Sequence, residues 1–203
     1  MKLTKEALEE VFTELGRRAL AEGRQIDIAV YGGSALILAS NFRLSTAGVD
    51  AVATFDQSDV DRMTRAIAQE RGWPADWLND GVRTYLSPSV GGVATHHALV
   101  RSYPSEAAPG LRVYVPTAEY MRAMKLSALR VGESDQTGKD RDDLKNLLAL
   151  CKITTAEEAL EFAASFYPEF EKGTPGQTPG VFPNWHRASR SPCLRHAPQR
   201  GHG

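Results

Sequence analysis

Residues 26–55, IDIAVYGGSALILASNFRLSTAGVDAVATF, decide how this chain folds. Ile26 to Tyr31 alternates and is rich in branched residues, the pattern of a strand, and it runs straight into Gly32-Gly33. Ser34 to Ser40 reads as a short helix, and Val49 to Phe55 as a second strand carrying Asp50. Two glycines after a strand let the backbone pass close to a ligand, and amides at the next helix N-terminus favour a phosphate group. The same arrangement also occurs wherever a turn simply needs a positive φ. A ligand site and a plain structural turn therefore both stay open on this stretch alone.

Outward from it, helical spacing dominates. Upstream, Leu8, Val11, Phe12, Leu15, Ala19 and Leu20 predict an amphipathic helix from Thr4, its N-cap, to about Ala21. Downstream, Val60, Met63, Ile67 and Ala68 predict a second long helix over Ser58–Arg71. Trp73 to Leu86 is expected to begin as a helix, with Pro74 in its first turn. ATHHALVRS (94–102) and LRVYV (111–115) read as strands. Helices are expected over Thr117–Arg130, Lys139–Cys151 and Thr155–Phe166, the last opened by the capping box Thr155-x-x-Glu158. Beyond residue 170 the chain loses all periodicity and is dominated by Gly, Pro, Arg and His. The expectation is one domain over 1–170, with a helical part at 117–170, and a disordered basic tail over 171–203.

A chain of 203 residues with 42% hydrophobic and 24% charged positions has the composition of an ordinary globular domain with one full core. It contains no apolar run of 18 or more residues, and its first residues mix acids with bases, unlike a signal peptide. A cytoplasmic protein without a membrane partner is expected. Cys151 and Cys193 are far apart in unlike surroundings and point to free thiols, not to a disulfide framework or a zinc site. The net charge of −1 divides into +5 for residues 172–203 and −6 for residues 1–171. The body therefore lacks the basic footprint of a DNA-binding regulator, and no helix-turn-helix pattern is visible. The basic tail could touch RNA or have no role.

The Gly32-Gly33-Ser34-Ala35-Leu36 run, the Arg43 and Thr46 positions, and Val49-Asp50 together resemble the first motif of the polymerase-beta-like nucleotidyltransferase superfamily. The resemblance is to its bacterial branch, which includes AbiEii-type toxins. Trp77-Leu78-Asn79-Asp80 and the later MKLSALR and DRDDLKNLL segments extend it over roughly residues 5–165. It implies an α+β fold, a small mixed β-sheet of the nucleotidyltransferase type flanked by helices, with a C-terminal helical part. It implies transfer of a nucleotidyl group from a nucleoside triphosphate, with Mg2+, to a hydroxyl of RNA (such as tRNA) or of a protein, in a toxin–antitoxin setting with an antitoxin partner.

Site residues follow from the same resemblance. Gly32, Gly33, Ser34 and Arg43 would hold the triphosphate, Asp50 would bind metal, Lys125 would offset charge, and Asp143 would orient Lys125 or a hydroxyl. Carboxylates at i and i+2 of a strand share a face and can hold two divalent cations. Here the i position is Gly48, so Asp50 stands without that companion and the metal motif is impaired. A catalytically inactive nucleotide-binding or protein-interaction module of the same fold is the alternative. Lys125 could equally be a snorkelling surface lysine, and Asp140 could take the place of Asp143. Asp56, Asp59 and Asp61 are the nearest substitutes for a missing acid, although Asp59 suits the first turn of a helix. His96 and His97, adjacent on a strand, are expected to face opposite ways and so not to share a metal. Trp73, Trp77 and Tyr85 are expected to be core and not a stacking platform.

Overall fold

The computed structural model describes residues 1–40, 43–54, 57–90, 95–131 and 155–168. In chain order these form α1 (Lys5–Ala21), β1 (Ile26–Tyr31), α2 (Gly32–Ala39), β2 (Val49–Ala53), α3 (Gln57–Arg71) and β3 (Leu78–Asn79). A 3-10 turn (Gly81–Tyr85), β4 (His97–Pro104), β5 (Pro109–Pro116), α4 (Ala118–Val131) and α5 (Ala156–Phe166) come next. The strands make one mixed five-stranded sheet in the order β3-β2-β1-β5-β4. β1 lies antiparallel to β2 and parallel to β5, β2 and β3 are parallel, and β4 and β5 are antiparallel.

The two faces of the sheet are covered by different helices. Ile26, Ile28 and Val30 of β1 point one way, into a core shared with Leu8, Phe12 and Leu15 of α1 and Val60, Met63 and Ile67 of α3. Ala29 and Tyr31 point the other way, onto Tyr120, Ala123 and Leu126 of α4 and Ala163 and Phe166 of α5. The short α2 is apolar all round, and Gly33 to Leu38 are all buried, as expected of a helix wedged inside a domain. α1 begins at Thr4, whose hydroxyl accepts from the Ala7 amide, and α5 carries the expected capping box of Thr155 and Glu158.

Three expectations change. Gly32 and Gly33 belong to α2, which begins two residues earlier than the apolar pattern indicates. Residues 73–86 form no α-helix; they carry β3 and the 3-10 turn. The reason is Trp77, which is 1% exposed and donates its indole N–H to the Thr64 carbonyl at 3.0 Å, holding the segment to α3, while its own amide closes a turn onto the Pro74 carbonyl. As expected, Trp77 is core, with the partly buried Trp73 edge-on against it, whereas Tyr85 is half-buried and belongs to neither core. The strand expected over 94–102 starts at His97, because His96 is left-handed with φ 58°. The helix expected over 139–151 and the tail over 171–203 lie outside the described residues.

Candidate functional site

The register of β1 on β2 builds the site. Tyr31 and Asp50 are Cα partners at the end of the pair. The chain must turn immediately after Tyr31 to enter α2, so the turn passes over the Asp50 carboxylate. Gly32 makes that turn at φ +60°, and a Cβ there would lie 2.9 Å from Asp50 Oδ2. Both the left-handed backbone and the close approach require glycine. Gly33 is needed for a second reason. A Cβ on it would run into the guanidinium of Arg43 and sit 3.2 Å from Thr46 Oγ1. The Arg43 head group therefore lies over the start of α2.

Ser34 is 1% exposed, and its hydroxyl donates to the Gly48 carbonyl at 2.9 Å. The Thr46 hydroxyl donates to the same oxygen at 3.1 Å. The Ser34 bond ties the first turn of α2 to the entry of β2, and the Thr46 bond is local to that entry. The Ser34 side chain is thus committed to the backbone, Gly33 is buried with it, and Gly32 is the partly exposed residue of the turn. Tyr31, the N-cap residue of α2, supplies no side-chain hydrogen bond to the helix amides, and the first turn contains no acid. Both conditions favour an anion at this end.

Asp50 is half-buried, and burial pushes its carboxyl above the usual range. A hydrogen bond from the Asn79 side chain and the charge of Lys125, brought in by α4, oppose that shift. Asn79 is the register partner of Asp50 on β3. Its Oδ1 accepts from the Gly81 amide at 3.0 Å and its Nδ2 donates to the Asp76 carbonyl at 3.4 Å, which fixes the side-chain amide with an N–H left for the carboxylate. The site thus assembles Gly32, Gly33, Ser34, Arg43, Asp50 and Lys125, together with Asn79. Asp143 lies outside the described residues. The importance of Asn79 was hidden because β3 is two residues long, and only its pairing with β2 sets Asn79 beside the acid.

Gly48 immediately precedes β2, and by strand alternation a side chain there would share the Asp50 face. Its φ lies outside the left-handed region, and a Cβ would meet only the Trp77 carbonyl, at 3.3 Å. A β-carbon there requires the Trp77 carbonyl to give by a few tenths of an ångström. Of the substitute acids, Asp59 pairs with Arg24 and Arg62 and Asp61 accepts from Gln57, while Asp56 lies outside the described residues. Among the described residues no group of three or more His, Cys, Asp or Glu could hold a metal ion.

Beside the acid lies a cleft of about 250 Å³, lined by Ala29, Tyr31, Val52, Thr54, Leu86 and Tyr120 among others. Its wall corrects the expected opposition of the histidines. The left-handed His96 breaks the strand alternation, and both imidazoles pack against the Tyr120 ring, at 6.4 and 5.5 Å between centroids. His97 Nδ1 lies 2.8 Å from the Thr95 carbonyl, which can only accept. Nδ1 therefore carries the proton, and Nε2 accepts from the Tyr31 hydroxyl at 3.0 Å. Burial holds the His97 imidazole below its ordinary pKa and pushes the Tyr31 phenol up.

No protein-family model matches the chain, and no curated protein does. Among solved structures, the chain is similar to an antigenic nucleotidyltransferase-like protein from Paracoccidioides brasiliensis. The two are 16% identical, over 85% of this chain and 94% of the other, with a TM-score of 0.40. Among the described residues no helix is long and apolar enough to cross a membrane.

Proposed function

We propose that the protein is a nucleotidyltransferase-like enzyme that takes a nucleoside triphosphate and transfers a nucleotidyl group to a hydroxyl of RNA, such as tRNA, or of a protein. The single observation that carries this is the Gly32 turn, which sets the Asp50 carboxylate against the uncapped start of α2 beneath the Arg43 guanidinium. An acid beside an amide-rich, cation-flanked turn suits a metal–phosphate complex better than either charge alone.

Mg2+ typically takes one or two carboxylates, several waters and substrate phosphates, so Asp50 suits one such ion and not a pair. Bound there, it would polarise a phosphoryl group and offset its charge. The main chain of Gly32 and Gly33 would receive the phosphates, with Arg43 and Lys125 neutralising them. Asn79 would keep the carboxylate oriented. A toxin–antitoxin setting, with an antitoxin as partner, accords with the resemblance in the first motif.

A second role is favoured by one observation: Gly48 leaves Asp50 without a companion carboxylate on its strand. A protein that binds nucleotide without turning it over, or a protein-interaction module, follows from that loss. Incubating the protein and its Gly48→Asp variant with labelled nucleoside triphosphates, total RNA and Mg2+ separates the two. Labelled acceptor with the unaltered protein establishes an enzyme; label only with Gly48→Asp, at least ~100-fold above the parent, marks a silenced one. If no Mg2+–triphosphate complex raises the melting temperature of either protein, both nucleotide-centred roles fail.

A further inference from the structure

The Tyr31–His97 hydrogen bond has no part in the chemistry proposed at Asp50. His97 stands on β4, and the sheet order puts β5 and β1 between it and β2, so three strand spacings, roughly 14 Å of backbone separation, divide it from Asp50. It nevertheless belongs to the cleft, which Tyr31, His97 and Tyr120 line together. Each hydrogen bond of the neutral imidazole has a fixed sense: the Thr95 carbonyl takes the Nδ1 proton, and Nε2 takes the proton of Tyr31. The Tyr31 oxygen therefore offers the cleft only acceptor capacity. Among the described residues, the charged and titratable groups facing the imidazole are His96 on its own strand, Tyr31 of β1 and Tyr120 of α4, with Arg83 of the 3-10 turn acting on Tyr31. β5 places the uncharged Pro116 opposite it. None of these groups is an acid.

A second proton on His97 reverses one of these bonds and leaves the other. Imidazolium carries a hydrogen on both nitrogens, so Nε2 no longer accepts and must donate. Thr95 keeps Nδ1, while the Tyr31 oxygen accepts from Nε2 and its own hydrogen turns away from His97, toward the cleft. We propose that the Tyr31–His97 pair is a proton-operated switch of the cleft wall, which presents an acceptor at Tyr31 when His97 is neutral and a donor beside a positive charge when His97 is protonated. Burial sets the change below the ordinary histidine value. Above that point an occupant with an ammonium or amide N–H against Tyr31 is favoured, and below it one with a carboxylate or phosphate oxygen there.

The test is an NMR titration of the full chain, labelled with 15N in histidine and 13C at the tyrosine Cζ, from about pH 8 to about pH 5. His97→Gln and Tyr31→Phe assign the two signals, and circular dichroism is recorded for both. In the neutral state the His97 hydrogen is expected on Nδ1, and the Tyr31 Cζ signal is expected to move with the same midpoint as His97. The reversed bond is charge-assisted and so stronger than the neutral one; its loss in Tyr31→Phe is expected to lower the proton affinity of His97 about fivefold. A phenol unable to turn gives the opposite sign, since the substitution then removes a bond made only to the neutral ring. The switch is overturned by a raised proton affinity in Tyr31→Phe, by a neutral tautomer with its hydrogen on Nε2, by a Tyr31 signal that stays still while His97 titrates, or by a His97 that stays neutral until the protein unfolds. If Tyr31→Phe does not fold, the coincidence of the two midpoints in the unaltered protein decides. None of these readings requires a nucleotide, so failure of the switch and failure of the nucleotidyltransferase proposal are separate results.

Discussion

Gly32 holds a backbone conformation, a close approach and an acid in place at once. Replacing it with alanine puts a methyl group at φ +60° and 2.9 Å from the Asp50 carboxylate. The backbone conflict alone costs about 1–2 kcal/mol, and the carboxylate must move to relieve the contact. Gly32→Ala is expected to lower the urea midpoint and to remove any effect of Mg2+–nucleotide on melting. Ser34→Ala acts differently. It takes away one of two donors to the Gly48 carbonyl, so a loss of about 1 kcal/mol is expected, with nucleotide binding retained. If binding disappears in a folded Ser34→Ala protein, the hydroxyl itself meets the ligand.

Asp50 and His97 give opposite pH signatures. Burial raises the folded-state pKa of Asp50. Its protonated form therefore favours the fold, and the stability it contributes is present below the unfolded pKa and lost as pH rises through the folded one. In EDTA, Asp50→Asn is thus expected to be more stable than the parent at neutral pH, by an amount that shrinks toward pH 4. Burial lowers the folded-state pKa of His97. Its neutral form favours the fold, so its contribution is present above the unfolded pKa and lost as pH falls through the folded one. His97→Gln should flatten the decline in melting temperature on acidification from about pH 7. A steeper decline in His97→Gln would show that another group sets the slope.

At the level of elements, α1 sits unusually close to the β4–β5 hairpin. A Cβ on Gly16 would fall 2.5 Å from the Tyr103 carbonyl oxygen, and one on Gly110 would strike the Gly16 carbonyl. Two glycines on facing elements let helix and hairpin touch backbone to backbone. Gly16→Ala relieves the usual helical penalty of glycine, about 1 kcal/mol, yet is expected to destabilise by a net ~2 kcal/mol or more, because neither neighbour is a flexible side-chain end. A neutral or stabilising result in a denaturant titration would mean that α1 can slide on the sheet. The helices with an apolar stripe, α1 and α3, were legible in the sequence because one face of each meets the core. The start of α2 was not, since Gly32 and Gly33 look like turn residues until the register of β1 on β2 is known. Residues 73–86 misled for a related reason: Trp77 supplies apolar spacing compatible with a helix, while its indole is tied to the Thr64 carbonyl of α3, a partner in another element. Within the site, Asp50, Arg43 and Lys125 could be picked out through the motifs that carry the family resemblance. Asn79 and the Tyr31–His97 pair could not, since each depends on a partner far away in sequence, on β2 and β4 respectively.

Across the whole molecule, the sheet order divides the chain into two parts that meet at one seam. β1, β2 and β3 are contributed by residues 26–79, and β4 and β5 by residues 97–116. The seam is the parallel pairing of β1 with β5, reinforced by the bidentate ion pair of Arg112 with Asp27 at 2.7 and 2.5 Å. Closing it spans some eighty residues, so the order of assembly becomes a kinetic matter. The turn at Gly32, with Asp50 and Asn79 around it, can be built from near neighbours before the seam closes. The cleft lined by Tyr31 and Val52 cannot, because His97 and Tyr120 reach it only afterwards. Any molecule that occupies the cleft would therefore recognise only the closed sheet, and would slow its unfolding while leaving the earliest pairing of β1 with β2 untouched.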